Sequence, residues 1–464
     1  MMNKLFNSKT RRKRILNLTF GFWILAFIFI SGCASKLCIA PYPLPHVKVK
    51  MHTPGYWISK TDNPDKVIMS AEQIKKFNEA NCKRKRILGE VLRTDNIMSG
   101  KKLSRNILNS IKRIQREKWY TTDNMRVDNL FFEAVYRNID LNKIPDKADV
   151  KFALTLRRTN LRVLPTDEII MSRKNNHDFD RFQDSAIDVG QPLALLWKTI
   201  DKKWAYVKTE ITPGWIHAED IAISDNKNDI VEYSDAQEFV VATGNKIDIF
   251  SDSKCENFLD SAQMGTRFPL MSSKKGYFII TFPVANRRNK LSFRKAYIPI
   301  YEDVHTGYVP YTKRNAINQS FKLLHAPYGW GGIKGERDCS RFIMDIFACF
   351  GIRMPRNSSQ QARIGREIAR FDRSGTQERD VLKKLPQGIS ILYMPGHIML
   401  YLGEDNGNYY VIHDTWAYTE GKWTSMVKKH IGRVVVSDLS LGEYGKTGSL
   451  LERLRIIRTI NGEY

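Results

Sequence analysis

The sequence predicts an α+β chain built in series: a helical N-terminal region, two small β-barrels, and a C-terminal α+β domain that carries the chemistry. Three observations support this. At 464 residues, 42% hydrophobic and 11% aromatic, the chain is folded and too long for one small core. Its middle reads as short β-rich runs separated by turn signals, the pattern of small barrels. Its C-terminal third alternates helix-period and strand-period apolar runs around a cysteine placed where a buried helix begins.

The N-terminus bears on the compartment. Lys4, Lys9, Arg11, Arg12, Lys13 and Arg14 precede a run from Ile15 to Ile30 that is apolar except for Asn17 and Thr19. A basic leader, a short apolar stretch and small residues at a cut make a secretory signal. An uncleaved anchor helix is the alternative, but about 16 apolar residues fall short of the roughly 20 that a span needs. Ile30-Ser31-Gly32-Cys33 resembles the bacterial lipobox. That resemblance implies a signal peptide over 1–32, lipidation of Cys33, and a membrane partner reached through a lipid anchor. The localisation expected is the cell envelope, on the periplasmic face of the outer membrane if the host is Gram-negative, because Ala34 is not the Asp that holds such proteins in an inner membrane. Pro41, Pro43 and Pro45 suit an extended tether over 33–59.

The net charge of +25 attracts polyanions without selecting one. No zinc-knuckle, RNP-type or recognition-helix pattern accompanies it, and no nucleic acid is expected after export. Cys38, Cys82, Cys255, Cys339 and Cys349 show no CxxC pair and no zinc spacing, so neither metal nor cofactor is expected.

Residues 60–147 read as a basic helical domain. Ile87, Leu88, Val91 and Leu92 form one apolar stripe, and Ile107, Leu108, Ile111 and Ile114 another. Residues 148–228 and 235–312 read as barrels. In the first, Phe152, Leu154 and Leu156 alternate, and Trp204, Tyr206 and Val207 precede a Pro213-Gly214 turn into Trp215-Ile216. In the second, Tyr277 to Phe282 and Ala296 to Tyr301 are the clearest strands, and Gly307-Tyr308-Val309 closes the unit. On Trp204…Gly214-Trp215 and Gly307-Tyr308-Val309 these segments resemble bacterial SH3-type barrels. Such barrels bind wall peptide or narrow a neighbouring active site; a structural spacer is the alternative.

Residues 313–464 hold the chemistry. A helix from about Arg314 to Leu324 leads to the glycine turn Tyr328-Gly329-Trp330-Gly331-Gly332, then to Arg337-Asp338-Cys339-Ser340. Phe342, Ile343, Ile346, Phe347 and Phe350 form the apolar face of the next helix; Asp338 suits its N-cap and Gly351 its end. Cys339 therefore falls on a first helical turn, expected to be exposed and polar, where the helix dipole and an imidazolium favour a thiolate. Cys349, further along the helix, suits a buried structural thiol. Gly396-His397 opens an apolar strand, and Tyr409 to Asp414 forms the next, so a hairpin sets His397 beside His413. One ring can accept the thiol proton while the other orients it. Arg341 reads as a solvated helix residue or as a charge near substrate carboxylates.

Tyr328-Gly329-Trp330-Gly331-Gly332…Asp338-Cys339-Ser340, Pro395-Gly396-His397-Ile398 and Ile412-His413-Asp414-Thr415-Trp416 resemble the NlpC/P60 family of cell-wall endopeptidases. The order of helical segment, two SH3-type barrels and the tail Arg433-Val434-Val435-Val436…Gly448-Ser449-Leu450-Leu451 is similar to a multidomain branch of that family. The resemblance implies a papain-like fold with Cys339 as nucleophile, His397 as base and His413 as third polar residue. It implies a cysteine peptidase that cuts peptidoglycan stem peptides, usually between D-glutamate, through its γ-carboxyl, and a diamino acid. Tyr328 matches the tyrosine near the oxyanion site, and Asp338 and Ser340 flank the nucleophile there. Asn357 falls where members that need a free N-terminal L-alanine carry Asp. A wall amidase on the same fold and an inactive wall-binding lipoprotein are the alternatives.

Overall fold

The computed structural model describes residues 38–83, 87–372, 377–421, 426–445 and 447–462. The expected signal peptide and the lipid site Cys33 lie outside the described residues, which contain no helix long and apolar enough to cross a membrane.

The N-terminal region holds strand β1 (Cys38–Ile39) and helices α1 (Pro54–Ile58), α2 (Ala71–Lys83), α3 (Gly100–Gln115) and α4 (Asn129–Ile139), with the small pair β2 (Ile97–Ser99) and β3 (Lys147–Asp149). The first barrel comprises β4 (Lys151–Thr155), β5 (Thr159–Arg162), β6 (Gln183–Ile187), β7 (Pro192–Lys198), β8 (Trp204–Lys208), β9 (Gly214–His217) and β10 (Ile221–Ser224), in spatial order 10-4-7-8-9-5-6. Helix α5 (Lys227–Asp235) leads to the second barrel. Its strands are β11 (Phe239–Ala242), β12 (Lys246–Phe250), β13 (Phe258–Gln263), β14 (Arg267–Ser273), β15 (Tyr277–Ala285), β16 (Leu291–Pro299) and β17 (Val304–Thr306), in order 13-12-16-15-14-11-17.

The C-terminal domain starts with α6 (Lys313–Lys322) and α7 (Cys339–Ala348), followed by the short α8 (Ser358–Gln361) and by α9 (Gln377–Lys383). Its sheet comprises β18 (Arg366–Arg370), β19 (Ser390–Met394), β20 (His397–Asp405), β21 (Asn408–Glu420), β22 (Val427–Asp438) and β23 (Ile456–Thr459). The spatial order is 1-22-21-20-19-23-18, antiparallel but for β1, which runs parallel to β22.

Two expectations are corrected here. The segment taken as a free tether docks on the C-terminal sheet from residue 38 onward. Ala40 donates its N–H to His430 O at 2.8 Å, and Ala40, Leu44, Val47, Met51 and Trp57 join the core of the C-terminal domain. Trp57 is fully buried against Tyr410, with ring centroids 5.2 Å apart. Burying such a side chain is worth about 3 kcal/mol, more than the flexibility that prolines would otherwise preserve. The helical region also has no core of its own. Ile74, Phe77 and Ile87 pack into the C-terminal domain, whereas Leu103, Ile107, Ile111, Phe132 and Val135 pack with Phe152, Phe182, Trp204 and Trp215 of the first barrel. A single apolar stripe has to find a partner, and these helices find theirs on neighbours distant in sequence.

Candidate active site

Helix α7 forms because its apolar stripe is deeply buried and both ends are satisfied. Phe342, Ile343, Ile346 and Phe347 lie in the core. Asp338 caps the start by accepting from Arg341 N at 2.9 Å. Gly351, at φ +75°, ends it, and Ile352 N returns to Phe347 O at 3.1 Å. The preceding glycine turn has a second reason for its composition. Gly331 and Gly332 have φ of +62° and +82°, and a Cβ on Gly331 would lie 2.6 Å from the Gln183 side chain of the first barrel. The turn lets the barrel backbone approach closely, and Gln183 donates to Gly331 O at 3.1 Å.

Cys339 begins α7, ahead of the first intrahelical bond, which runs from Phe342 N to Asp338 O at 2.9 Å. Its N–H and that of Ser340 are thus first-turn donors of the kind that can hold an oxyanion. The backbone N–H of Ile398, one residue past His397, lies on the Cys339 sulfur's side and favours its thiolate. Met394 and His397 pair across the Pro395-Gly396 turn, with Gly396 at φ +83°, so His397 opens β20. His397 Nε2 and His413 Nδ1 are 2.6 Å apart, and His413 Nε2 lies 2.9 Å from Ser437 Oγ. The bond to His413 occupies one nitrogen of His397 and leaves Nδ1 as the other.

The site is closed, which corrects the expectation of an exposed cysteine: Cys339 is 8% and His397 9% exposed. Burial, followed by the charge of Asp338, pushes the thiol up to about 12, against the opposing Ile398 N–H. Burial, with Arg453 second, pushes His397 down to about 3. Taken singly, both shifts favour the uncharged forms of the thiol and the imidazole. Alkylation of Cys339 by iodoacetamide, followed by mass spectrometry, should accordingly be slow at pH 6 and rise above pH 8. A rate already at its plateau at pH 6 would establish the ion pair instead.

The other predicted site residues are placed as follows. Tyr328 is largely buried, and burial pushes its hydroxyl up. The Asp338 carboxylate is turned into the protein: it accepts from Gly331 N, Ser340 Oγ and both terminal nitrogens of Arg356, at 2.6–3.2 Å. Burial raises it, but Arg356 outweighs burial and holds it ionised. The Ser340 hydroxyl lies in the same cluster, accepting from Arg356 at 2.8 Å. Asp338 and the Ser340 side chain therefore shape the start of α7 rather than face a substrate. Asn357 is exposed at the N-cap of α8, with no side-chain hydrogen bond among the described residues.

Several residues at the site carry no sequence signal of their own. Arg356 also donates to Ser185 of the first barrel at 2.8 Å. Arg341 is neither solvated nor free for substrate: it is buried, pairs with Asp345 at 2.5 Å and with Asp188, and donates to Ala186 O at 3.0 Å. Asp188 takes Arg158 on its other oxygen. Arg337 pairs with Asp345 at 2.7 Å and donates to Asn245 O of the second barrel at 2.8 Å. Four arginines thus fasten the start of α7 to both barrels. Next to His413, Asp414 has both carboxyl oxygens buried and unpartnered among the described residues. Burial, and next the charge of Asp338, raise its carboxyl well above the usual carboxylate range.

Above the site lies an aromatic wall. Phe179, on the loop joining β5 and β6, has its ring centroid 6.4 Å from Tyr328, 5.3 Å from Trp330 and 5.4 Å from Trp416; Arg181 stacks on Trp330 at 4.5 Å. The buried Arg162–Asp180 pair fixes this loop, and Asp180 also accepts from Ile170 N and Phe182 N. Phe179→Ala should raise KM for a short peptide about fivefold, each lost ring contact being worth about 0.5–1.5 kcal/mol, with kcat little changed. Unchanged kinetics would remove the loop from the cleft.

Comparison with known proteins bears on this arrangement. Residues 325–439 match the model of the NlpC/P60 family, and residues 171–217 that of an SH3 domain of the SH3b1 type. Over 104 residues the chain is 30% identical to a gamma-D-glutamyl-L-lysine dipeptidyl-peptidase of Bacillus subtilis (strain 168); the match takes 22% of this chain and 32% of that protein. The chain thus spans about a third of the length of that relative. An NlpC/P60 endopeptidase from Photobacterium damselae subsp. piscicida superposes with a TM-score of 0.72 at 21% identity, covering 88% of this chain and 97% of that one. That likeness shows a shared fold, reaching across both barrels and the C-terminal domain.

Proposed function

We propose that this chain, which carries an NlpC/P60 domain behind an SH3b1-type SH3 domain, is a cysteine endopeptidase that hydrolyses peptidoglycan stem peptides at the γ-D-glutamyl–diamino acid bond. The observation that carries this reading is the order of groups at the start of α7. The Cys339 sulfur sits at a helix N-terminus against Ile398 N–H, and the neighbouring His397 is bonded through His413 to Ser437.

As Cys339 Sγ attacks the γ-glutamyl carbonyl carbon, its proton passes to His397 Nδ1. The C–O π pair moves to oxygen, where the N–H groups of Cys339 and Ser340 and the Tyr328 hydroxyl can stabilise it. Collapse breaks the C–N bond, and the imidazolium protonates the departing amine. Water, deprotonated by His397, hydrolyses the thioester and restores the thiol. Burial opposes charge on either group before attack, and His413 stabilises the imidazolium that forms as attack proceeds. The aromatic wall that Phe179 of the first barrel builds with Trp330 and Trp416 favours short, unencumbered peptides over intact wall. Asn357, lacking a charge, offers no ion pair to a free N-terminal amine. Export and lipidation at Cys33 belong to the same proposal and would hold the enzyme at the envelope.

The test is incubation of the full chain with L-alanyl-γ-D-glutamyl-diaminopimelate peptides and, separately, with intact sacculi, the products read by mass spectrometry. Release of the diamino acid moiety from the peptides, with little from sacculi, is expected. Cleavage at the sugar–peptide amide would make the enzyme an amidase.

A further inference from the structure

Helix α3 is packed by one face and charged on the other. Leu103, Ile107, Ile111 and Ile114 are buried in the core shared with the first barrel. From Asn96 to Arg116 the chain holds six Lys or Arg and no Asp or Glu. All six, Lys101, Lys102, Arg105, Lys112, Arg113 and Arg116, are exposed. At about 100° per residue, Lys101, Arg105, Lys112 and Arg116 fall within about 60° of one another, roughly opposite the buried stripe. They form a ridge about 22 Å long. Lys102 and Arg113 lie at its edge, Arg113 toward the carboxyl of Asp184. The ridge is held firmly. Ser99 caps the start by accepting from Lys102 N at 3.4 Å, and Trp119 Nε1 donates to Ile114 O at 2.7 Å near the end. The Trp119 ring packs on Phe182 of the barrel, centroids 5.7 Å apart.

Charge and shape name the partner. Elsewhere in the same region Arg93 pairs with Glu90 at 3.2 Å and Lys143 with Asp140 at 2.9 Å, but no carboxylate pairs with any of the six among the described residues. Asp95 and Glu117 only flank the run in sequence. Helix α4, which meets α3 where Tyr136 donates to Gln115 at 3.1 Å, adds one acid, Glu133, and one base, Arg137. Lys101 and Arg105, like Lys112 and Arg116, stand four residues apart, where like charges repel. An anionic surface relieves that repulsion. The cations stand out from a convex ridge, which meets a plane of headgroups along its length, whereas a single polymer strand is tracked by a groove. The ridge holds no apolar side chain, so the contact is electrostatic and needs no insertion. We propose that α3 is a docking ridge for a bilayer surface rich in anionic phospholipid. The inference needs neither the peptidase reading nor lipidation at Cys33, since it concerns charges that the chemistry at Cys339 does not use.

Amine footprinting of the full chain tests it, because each lysine reports on its own surroundings however the N-terminus attaches. The protein is mixed with phosphatidylcholine vesicles containing about 30% phosphatidylglycerol, or with phosphatidylcholine vesicles alone, and acylated by an N-hydroxysuccinimide ester. Mass spectrometry gives the rate at each lysine. Acylation of Lys101 and Lys112 should be at least about fivefold slower on the anionic vesicles, the effect expected of one cation near such a surface. Lys383 and Lys384, exposed near the end of α9, should change less than about twofold. The protection should vanish at about 0.5 M salt. The double variant Arg105→Gln/Arg116→Gln keeps both lysine probes and removes two exposed, unpaired charges, so protection should fall below about twofold while the melting temperature stays within about 1 °C of wild type. Equal rates on the two vesicles, protection that survives 0.5 M salt or the double variant, or equal protection by purified sacculi would each overturn the lipid ridge.

Discussion

Cys339→Ala should reduce peptide cleavage by roughly 10⁴-fold or more, because a residue acting as part of one catalytic unit takes the activity of that unit with it. The change deletes one buried sulfur at the N-terminus of α7, which costs about 1–2 kcal/mol of stability and leaves the Asp338 cap in place. A thermal melt close to wild type, alongside absent turnover in a mass-spectrometric assay, is therefore the expected pair of results. Cys339→Ser keeps the shape but offers a far less acidic nucleophile to a base whose own affinity for protons is lowered by burial, so it should be equally inert. Residual cleavage within tenfold of wild type in either variant would place the nucleophile elsewhere.

The second large effect is expected far from the sulfur. Asp188→Ala leaves the buried guanidiniums of Arg158 and Arg341 facing each other without their shared carboxylate. Breaking such a pair from one side costs about 3–5 kcal/mol. Arg341 lies two residues from Cys339, so kcat/KM should also fall, by about tenfold or more, even where the protein stays folded. The pH dependence has a definite sign. Burial raises the Asp188 carboxyl, but Arg341 and Arg158 outweigh burial and hold it below its ordinary value. Its contribution is thus complete above the unfolded carboxylate range, near pH 4, and is lost as pH falls through the lowered folded value. Urea denaturation at pH 7 and pH 3 should show the wild-type advantage over Asp188→Ala shrinking on acidification. An equal gap at both pH values would contradict the clamp.

Much of the C-terminal domain was legible because its signals are local. The cap Asp338, the apolar stripe from Phe342 to Phe350 and the turn Pro395-Gly396 each act within a few residues, and they position Cys339 and His397 without reference to the rest of the chain. The strands around Trp204 and Trp215 were legible for the same reason. What escaped depends on pairings across the chain. Arg341 meets Asp188, Phe179 meets Trp416, and Cys38 meets Lys429, and none of these leaves a periodicity or spacing to detect. The closed state of Cys339 escaped too. A helix start behind a glycine turn is exposed in isolation and becomes buried once a barrel packs against that turn through Gly331. The same closure adds a desolvation that opposes the thiolate the helix start would favour.

The parallel pairing of β1 with β22 bears on the order of assembly. Residues 38–58 leave the ribosome long before their partners, among them Tyr410, His430 and Asp438. Each barrel is continuous in sequence and can fold during synthesis, whereas the sheet of the C-terminal domain keeps the edge of β22 open until the distant β1 pairs with it. The C-terminal domain is therefore completed by a segment made long before it, so a chain clipped ahead of the first barrel would show that unprotected edge to its neighbours.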